Sequence, residues 1–336
     1  MSGERIADLQ TVVADAERQS GPGDPASLEA RMRLALAYRQ HGRNEDAVAE
    51  LRQVVELRAG GLGAGHPDTL AARHELALSY FHVSTGNDNP AWLSDAITTM
   101  ELAADGRHSA LGPAHPDTLA SWASLVLLYS QSGRRDDRGR MVLQRIAAGW
   151  EQIVAEQERQ LGHDEPETQF SRIKLARAYH DIGRAGDERV ILERVIESWG
   201  RLAGSRSQNL GPVHPDTVYA RERHAYSHRL VGRSDDEVPL TEQIAADHER
   251  LLGPDDPRTL RALARLAFRY YEGAYDPPAA IVLGERIIGH AYHALGPDDP
   301  DMHTLHAVLT LAYTQAGRSD EALTLHARFP MSGDHE

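Results

Sequence analysis

Cysteine is absent from the 336 residues, and lysine occurs once, at Lys174. The first absence excludes disulfides, thiol nucleophiles, iron–sulfur clusters and cysteine zinc sites. The second leaves almost no place for Schiff-base chemistry or for a phosphate-cradling Gly-Lys-Ser/Thr loop. Positive charge is in deficit: 36 Lys and Arg face 50 Asp and Glu, a formal net charge of -14 that disfavours nonspecific binding to nucleic acid or anionic lipid. No long apolar run occurs and none follows Met1-Ser2-Gly3-Glu4-Arg5, so neither a membrane span nor a signal peptide is expected, and the cytoplasm is the expected compartment. Serine-elbow and dinucleotide-binding glycine fingerprints are also missing.

Hydrophobic residues at 41% and charged residues at 26% are ordinary for a folded chain. The pattern within them is a repeat. Leu62-Gly63-Ala64-Gly65-His66-Pro67-Asp68-Thr69-Leu70 returns as Leu111-Gly112-Pro113-Ala114-His115-Pro116-Asp117-Thr118-Leu119. It returns again from Leu210 to Thr217 and, with aspartate for histidine, from Leu252 to Leu260, with weaker copies near Asp24, Leu161 and Leu295. The anchoring prolines are 25, 67, 116, 166, 215, 257 and 300, spaced by 42, 49, 50, 49, 42 and 43 residues.

Each anchor is a helix start. Proline at the first helical position gives up an N–H that has no partner there, and its ring presets the helical φ. Asp24, Asp256 and Asp299 before the proline are caps, and His66, His115 and His214 read as cap residues rather than catalysts. The preceding Leu-Gly pair ends one helix before the next begins. Nine and ten residues after the proline come pairs such as Leu34-Ala35, Leu76-Ala77, Leu175-Ala176 and Leu266-Ala267. Thirteen after it comes Tyr38, Tyr80, Tyr129, Tyr179, Tyr270 or Tyr313, with His228 in the fifth copy. These spacings lay one apolar stripe on a helix. Gly-Arg pairs such as Gly42-Arg43 and Gly317-Arg318 then mark the turn into a second helix. The expectation is an all-α chain of about fifteen helices in about seven hairpins.

Leu-Ala-x-x-Tyr, then Gly-Arg, then Glu/Asp-Ala, preceded by Leu-Gly-x-x-His-Pro-Asp-Thr-Leu, resembles the long tetratricopeptide repeats of kinesin light chains and their bacterial relatives. The resemblance implies a right-handed superhelix, an α-solenoid, over residues 1–336. Repeats start near 24, 66, 115, 165, 214, 256 and 299, behind a capping helix at 4–19 and ahead of a polar tail at 331–336. Longer second helices or loops are expected in copies two to four, with an insertion through Asn87-Asp88-Asn89-Pro90 and a flexible loop at Gly204-Ser205-Arg206-Ser207. The second-helix alanine is clear at Ala47 and Ala322 but missing from copies three to five.

In the resembled family the first helices line a groove that binds a peptide or partner helix. Carried over, that groove comprises Arg33, Arg39, His74, Phe81 and His82 in copies one and two, and Lys174, Arg177, His180, Tyr219, Arg223, Tyr226, Arg229, Arg261, Arg265, Phe268 and Tyr271 in copies four to six. Arginine forks and aromatic rings suit an acidic peptide with an aromatic or apolar anchor. The plainer reading is a solvated helix face in a lysine-poor protein, diluted by Glu75, Asp181, Glu222 and Glu272. The implied function is a non-catalytic scaffold or adaptor for a protein partner, with no cofactor. Alternatives are a peptide- or ligand-responsive regulator and, third, an enzyme or metal protein using the histidines. His224 and His228, four apart, have metal-ligand spacing but replace the Leu and Tyr of the core stripe; His290/His293 and His303/His306 are three apart. Half-buried polar substitution is the simpler account of all three pairs. Trp92, Trp122, Trp150 and Trp199 are expected to pack the longer helices, the other reading being a lateral patch for self-association.

Overall fold

The computed structural model describes residues 6–86, 89–133 and 137–331. Among them it contains fifteen helices and no strand: α1 Ile6–Ser20, α2 Pro25–Gln40, α3 Asn44–Leu62, α4 Pro67–Thr85, α5 Pro90–Leu111, α6 Pro116–Gln131, α7 Asp137–Gln160, α8 Pro166–Asp181, α9 Ala185–Leu210, α10 Pro215–Leu230, α11 Ser234–Leu252, α12 Pro257–Glu272, α13 Pro277–Leu295, α14 Pro300–Gln315 and α15 Ser319–Arg328. They group into two compact units, Met1–Glu156 with Arg177–Arg184, and Gln157–Ala176 with Ala185–Glu336.

Each of the seven anchoring prolines is the first residue of a helix. His66, His115 and His214 cap through Nδ1, which accepts from the backbone N–H of Asp68, Asp117 and Asp216 at 3.2, 3.2 and 3.3 Å. Asp24, Asp256 and Asp299 do the same at 2.9 Å with Ala26, Arg258 and Asp301. Histidine and aspartate are interchangeable here because each offers one acceptor to the second N–H of the helix. At the other end, Gly63 takes φ 97° and Gly42 φ 73°, left-handed turns that a side chain disfavours.

The second helices of copies two to four are longer, 22, 24 and 26 residues against 19 in α3, α11 and α13. The Gly204–Ser207 stretch is not a loop: it continues α9 to Leu210. A solvent-facing glycine costs a helix only about 1 kcal/mol, while buried Ala203 and the Arg206 Nη1 hydrogen bond to the Asp216 carbonyl, 3.1 Å, hold this turn down. Of the anticipated insertion, Asn87 and Asp88 lie outside the described residues, but Asn89 caps α5 through Ala91 N–H at 3.0 Å. Residues 4–5 of the expected cap and 332–336 of the expected tail also lie outside them.

The Leu-Ala pairs are buried, and Tyr38, Tyr80, Tyr129, Tyr179 and Tyr313 lie beside them. The first unit's core runs through Leu51, Met100, Trp122 and Leu128; the second's includes Leu260, Met302, Leu305 and Leu309. Trp122 and Trp199 are sealed inside and Trp92 and Trp150 are half-buried, so packing accounts for the tryptophans.

The tyrosines do more than fill space. Each hydroxyl meets the side chain standing 28 residues earlier, on the preceding second helix: Gln10 with Tyr38 at 2.8 Å, Arg52 with Tyr80 at 2.6 Å, Glu101 with Tyr129 at 2.5 Å and Glu151 with Tyr179 at 2.8 Å in the first unit. Glu242 with Tyr270 at 2.6 Å and Glu285 with Tyr313 at 2.9 Å continue the rungs in the second. The Gly-Arg arginine closes several of them: Arg184 and Arg318 lie over the rings of Tyr179 and Tyr313 and reach Glu151 and Glu285 at 3.3 and 3.0 Å. In the fifth copy His228 replaces the tyrosine, and the residue 28 earlier is Gly200, so this rung is missing.

Two stability measurements test these devices. His115→Ala should lower the unfolding free energy of its unit by about 1 kcal/mol, whereas His115→Asp should stay within a few tenths. Tyr129→Phe should cost about 1 kcal/mol by taking the hydroxyl donor from Glu101. Urea denaturation reads both; equal losses for the two His115 variants would rule out the cap.

Candidate functional site

The sequence-selected residues divide into separate groups. In the first unit Arg39 of α2 pairs with Glu75 of α4 at 2.7 Å. His74 lies near this pair, its Nδ1 3.1 Å from Ser121 Oγ, and burial, then Arg107, holds its imidazole below the ordinary value. His82 packs beside Phe81 and is held down by burial and by Arg39. Arg33 is exposed on α2. Along α8, Lys174, Arg177 and His180 are exposed, with Arg177 turned onto Asp181 of its own helix at 3.1 Å.

The denser group is in the second unit. Arg265 of α12 bridges to α10 and α14, reaching Glu222 at 2.5 Å and taking Asp301 with Nε and Nη2 at 3.0 and 3.1 Å. Arg261 pairs with Asp299 at 2.9 Å, and Arg229 with Glu272 at 3.8 Å while lying over the Tyr226 ring. The side-chain hydrogen bond to Asp301 is the largest influence on Arg265 and holds its proton more tightly than usual. Arg223 differs: its guanidinium lies over the rings of Phe170 and Tyr219, 5.8 and 5.1 Å from their centres, with no carboxylate at ion-pair distance among the described residues. Phe170 stacks edge-on against buried Trp199, which meets Tyr219 in turn.

α10, α11, α12 and α14 enclose a cleft of about 420 Å³ lined by Arg223, Tyr226, Arg265 and Phe268 together with Glu222, Asp301, Glu237 and Arg269. Four sequence-selected residues therefore share one cavity; Tyr219, Arg229, Arg261 and Tyr271 lie outside its lining. Glu237 is sealed beneath it, its Oε1 3.1 Å from Arg269 Nε. The pair is within ionic reach, yet neither Glu237 oxygen nor Arg269 Nη1 has a well-directed hydrogen bond. Burial pushes the Glu237 carboxyl up against the pull of Arg269, and burial pushes Arg269 down.

On sequence alone Glu75, Glu222 and Glu272 look like dilution of a basic face; in the structure they are the arginines' direct partners. Asp299 reads from the sequence only as a cap, and Asp301, Glu237, Arg269 and Phe170 carry no mark that selects them. A signal nonetheless exists. Arg39 and Glu75 stand 36 residues apart, as do Arg265 and Asp301, while Glu222 and Arg265 stand 43 apart, separations close to the repeat length. Acid and arginine on the first helices of successive copies meet across the neighbouring helices.

The histidine pairs each have other partners. No group of three potential ligands exists among the described residues. His224 and His228 stack edge-on with centres 5.1 Å apart, His228 Nδ1 is 3.4 Å from Asp236, and His224 packs against Gly200, where a Cβ would come within 3.1 Å of Nε2. His306 is buried against His326, and His303 is exposed. His290 pairs with Asp255 at 2.7 Å while His293 lies on Tyr292.

Burial first, and His228 second, hold the His224 imidazole below its ordinary value of 6.5. As pH falls below about 6.5 the unfolded chain takes up this proton before the folded one, so stability falls with pH in that window. Urea midpoints measured between neutral and mildly acid pH should therefore drop in the wild type and drop less in His224→Leu; parallel curves would show that His224 is not the titrating group.

Residues 27–68 match a family model described as a tetratricopeptide repeat. No curated protein matches the chain. Among solved structures, it is similar to a protein described as a kinesin light chain with nearly identical TPR-like repeats, from Podospora anserina, at 26% identity, covering 68% of this chain and 97% of that one with a TM-score of 0.41. It is also similar to BtubC (BKLC) from P. vanneervenii at 15% identity, covering 77% and 87% with a TM-score of 0.36. A third is the quorum sensor NprR from B. thuringiensis in its apo form, at 13% identity, covering 96% and 81% with a TM-score of 0.37. Residues 27–68, which hold the first of the capped-proline hairpins, are therefore a tetratricopeptide repeat.

Proposed function

We propose that this protein is a non-catalytic interaction scaffold that holds a segment of a partner protein in the second unit's cleft. The observation that supports this reading most is the shared cavity of Arg223, Tyr226, Arg265 and Phe268, which joins apolar wall to directed polar groups, the composition of a binding cleft. Tetratricopeptide-type folds serve protein–protein interaction in general, and none of the described helices is long and apolar enough to cross a membrane.

The charge pattern narrows the expected partner. Arg229, Arg261 and Arg265 already have carboxylates, so this face does not call for a strongly acidic peptide. Arg223 is the cation here whose fork has only aromatic company. A partner segment with one acidic side chain for Arg223 and one aromatic or apolar side chain between Tyr226 and Phe268 fits best. The first unit's Arg39, His74 and His82 group has the same paired character and is assigned a lesser share.

The full chain, immobilised and challenged with lysate, should retain a defined partner identifiable by mass spectrometry. Arg223→Ala and Tyr226→Ala, which break no ion pair, should each weaken that capture by about tenfold or more. Retention of the same partner at undiminished affinity by both variants would overturn the assignment to this cleft.

A further inference from the structure

Tyr275 is the one non-glycine residue in left-handed conformation among those described, at φ 51°, and its side chain is 84% exposed. Such a conformation persists where surroundings impose it. Backbone hydrogen bonds from Ala274 and Asp276 to the carbonyls of Arg269 and Tyr270, 3.0 and 2.8 Å, pin the turn and leave the ring in solvent.

Beside it lies a pocket of about 660 Å³ whose walls include Leu263, Leu266, Ala279 and Val282, with Asp276 of the same turn and Pro278 of the first turn of α13 on its rim. Val282 is 70% exposed. The rim's polar groups are engaged: Glu242 accepts from Tyr270 at 2.6 Å, Arg286 pairs with Glu249 at 3.1 Å, and Asp276 caps Ala279 at 3.0 Å. The apolar wall suits an aromatic ring, and Asp276 and Arg286, each bonded through one atom, keep valence for a further ion-pair contact.

We propose that this face joins two copies of the chain, α13 antiparallel to α13, with Tyr275 of each copy seated in the pocket of the other. Two arguments select a second copy as the occupant. An exposed anchor and a receptive pocket on one patch are self-complementary, as a two-fold contact requires. Charge agrees: Asp276 and Arg286 are ten residues apart, so an antiparallel crossing centred near Ile281 and Val282 sets each Asp276 against the partner's Arg286, both about 7.5 Å from the axis. Gly289, where a Cβ would meet nothing within 4 Å, keeps the next turn of the stripe open for close approach.

The absence of cysteine makes the test clean. Sedimentation of the full chain across micromolar concentrations should show reversible dimerisation. Tyr275→Gly, which removes the ring and relieves the left-handed turn, and Val282→Asp should each raise the dimer Kd by about tenfold or more without lowering the melting temperature of the dilute, monomeric chain. Val282→Cys, near the axis, should cross-link on oxidation much faster than Val12→Cys, which is exposed in the first unit. A monomeric wild type, variants that dimerise as well as the wild type, or equal cross-linking at the two positions would each overturn the proposal.

Discussion

The register of this molecule rests on one local event repeated along the chain: a helix forced to begin at a proline whose preceding histidine or aspartate satisfies the second N–H. Because a proline in a helix interior loses a hydrogen bond and clashes with the turn behind it, as Pro239 of α11 must, the capped proline favours a start at its own position. A fixed start fixes which side chain faces the neighbouring helix at every later offset. The Leu-Ala pair, the tyrosine and the Gly-Arg turn then fall at the same place in each hairpin, and burial of the stripe follows from that placement.

Fixed register also organises polar contacts that no single hairpin contains. A tyrosine hydroxyl can count on a partner 28 residues back only if both helices start where they should, and six rungs show that they do. Arginines and carboxylates of successive repeats meet in the same way on the first helices. These pairs are partly exposed, so each contributes little to stability. Their larger effect is to neutralise a face that its arginines taken alone make look basic.

Much of the fold was legible because its signals are local. Proline, cap and Leu-Gly spacing located the first helices, and the lengths of copies two to four followed from the proline intervals. The Gly204–Ser207 stretch misled because its residues favour loops, whereas packing at Ala203 and the Arg206 bond decide in favour of helix. The candidate site was legible only as a set of helix faces. Which of those residues converge depends on contacts between hairpins, so Arg223, Tyr226, Arg265 and Phe268 could be selected but not distinguished from Arg33 or Lys174. Glu237 was invisible because a glutamate in the first turn of a helix ordinarily signals solvent and dipole, not a sealed carboxylate.

The fifth hairpin shows what the rule leaves room for. His224 and His228 take the places of the buried leucine and the rung tyrosine, and Gly200 takes the place of the rung's partner, so three substitutions sit on one contact. The three share one contact: a Cβ at 200 would lie 3.1 Å from His224 Nε2, and a rung there would need both His228 and Gly200 changed. The helix that loses the rung is α10, which carries Arg223 and Tyr226 into the cleft beside the imperfectly bonded Glu237 and Arg269. Local rules are broken most often where function requires it. Rungs are kept elsewhere in both units, and the one given up lies on the helix that lines this cleft, where packing of α10 on α9 through Trp199 and Ala220 takes the place of the lost hydrogen bond.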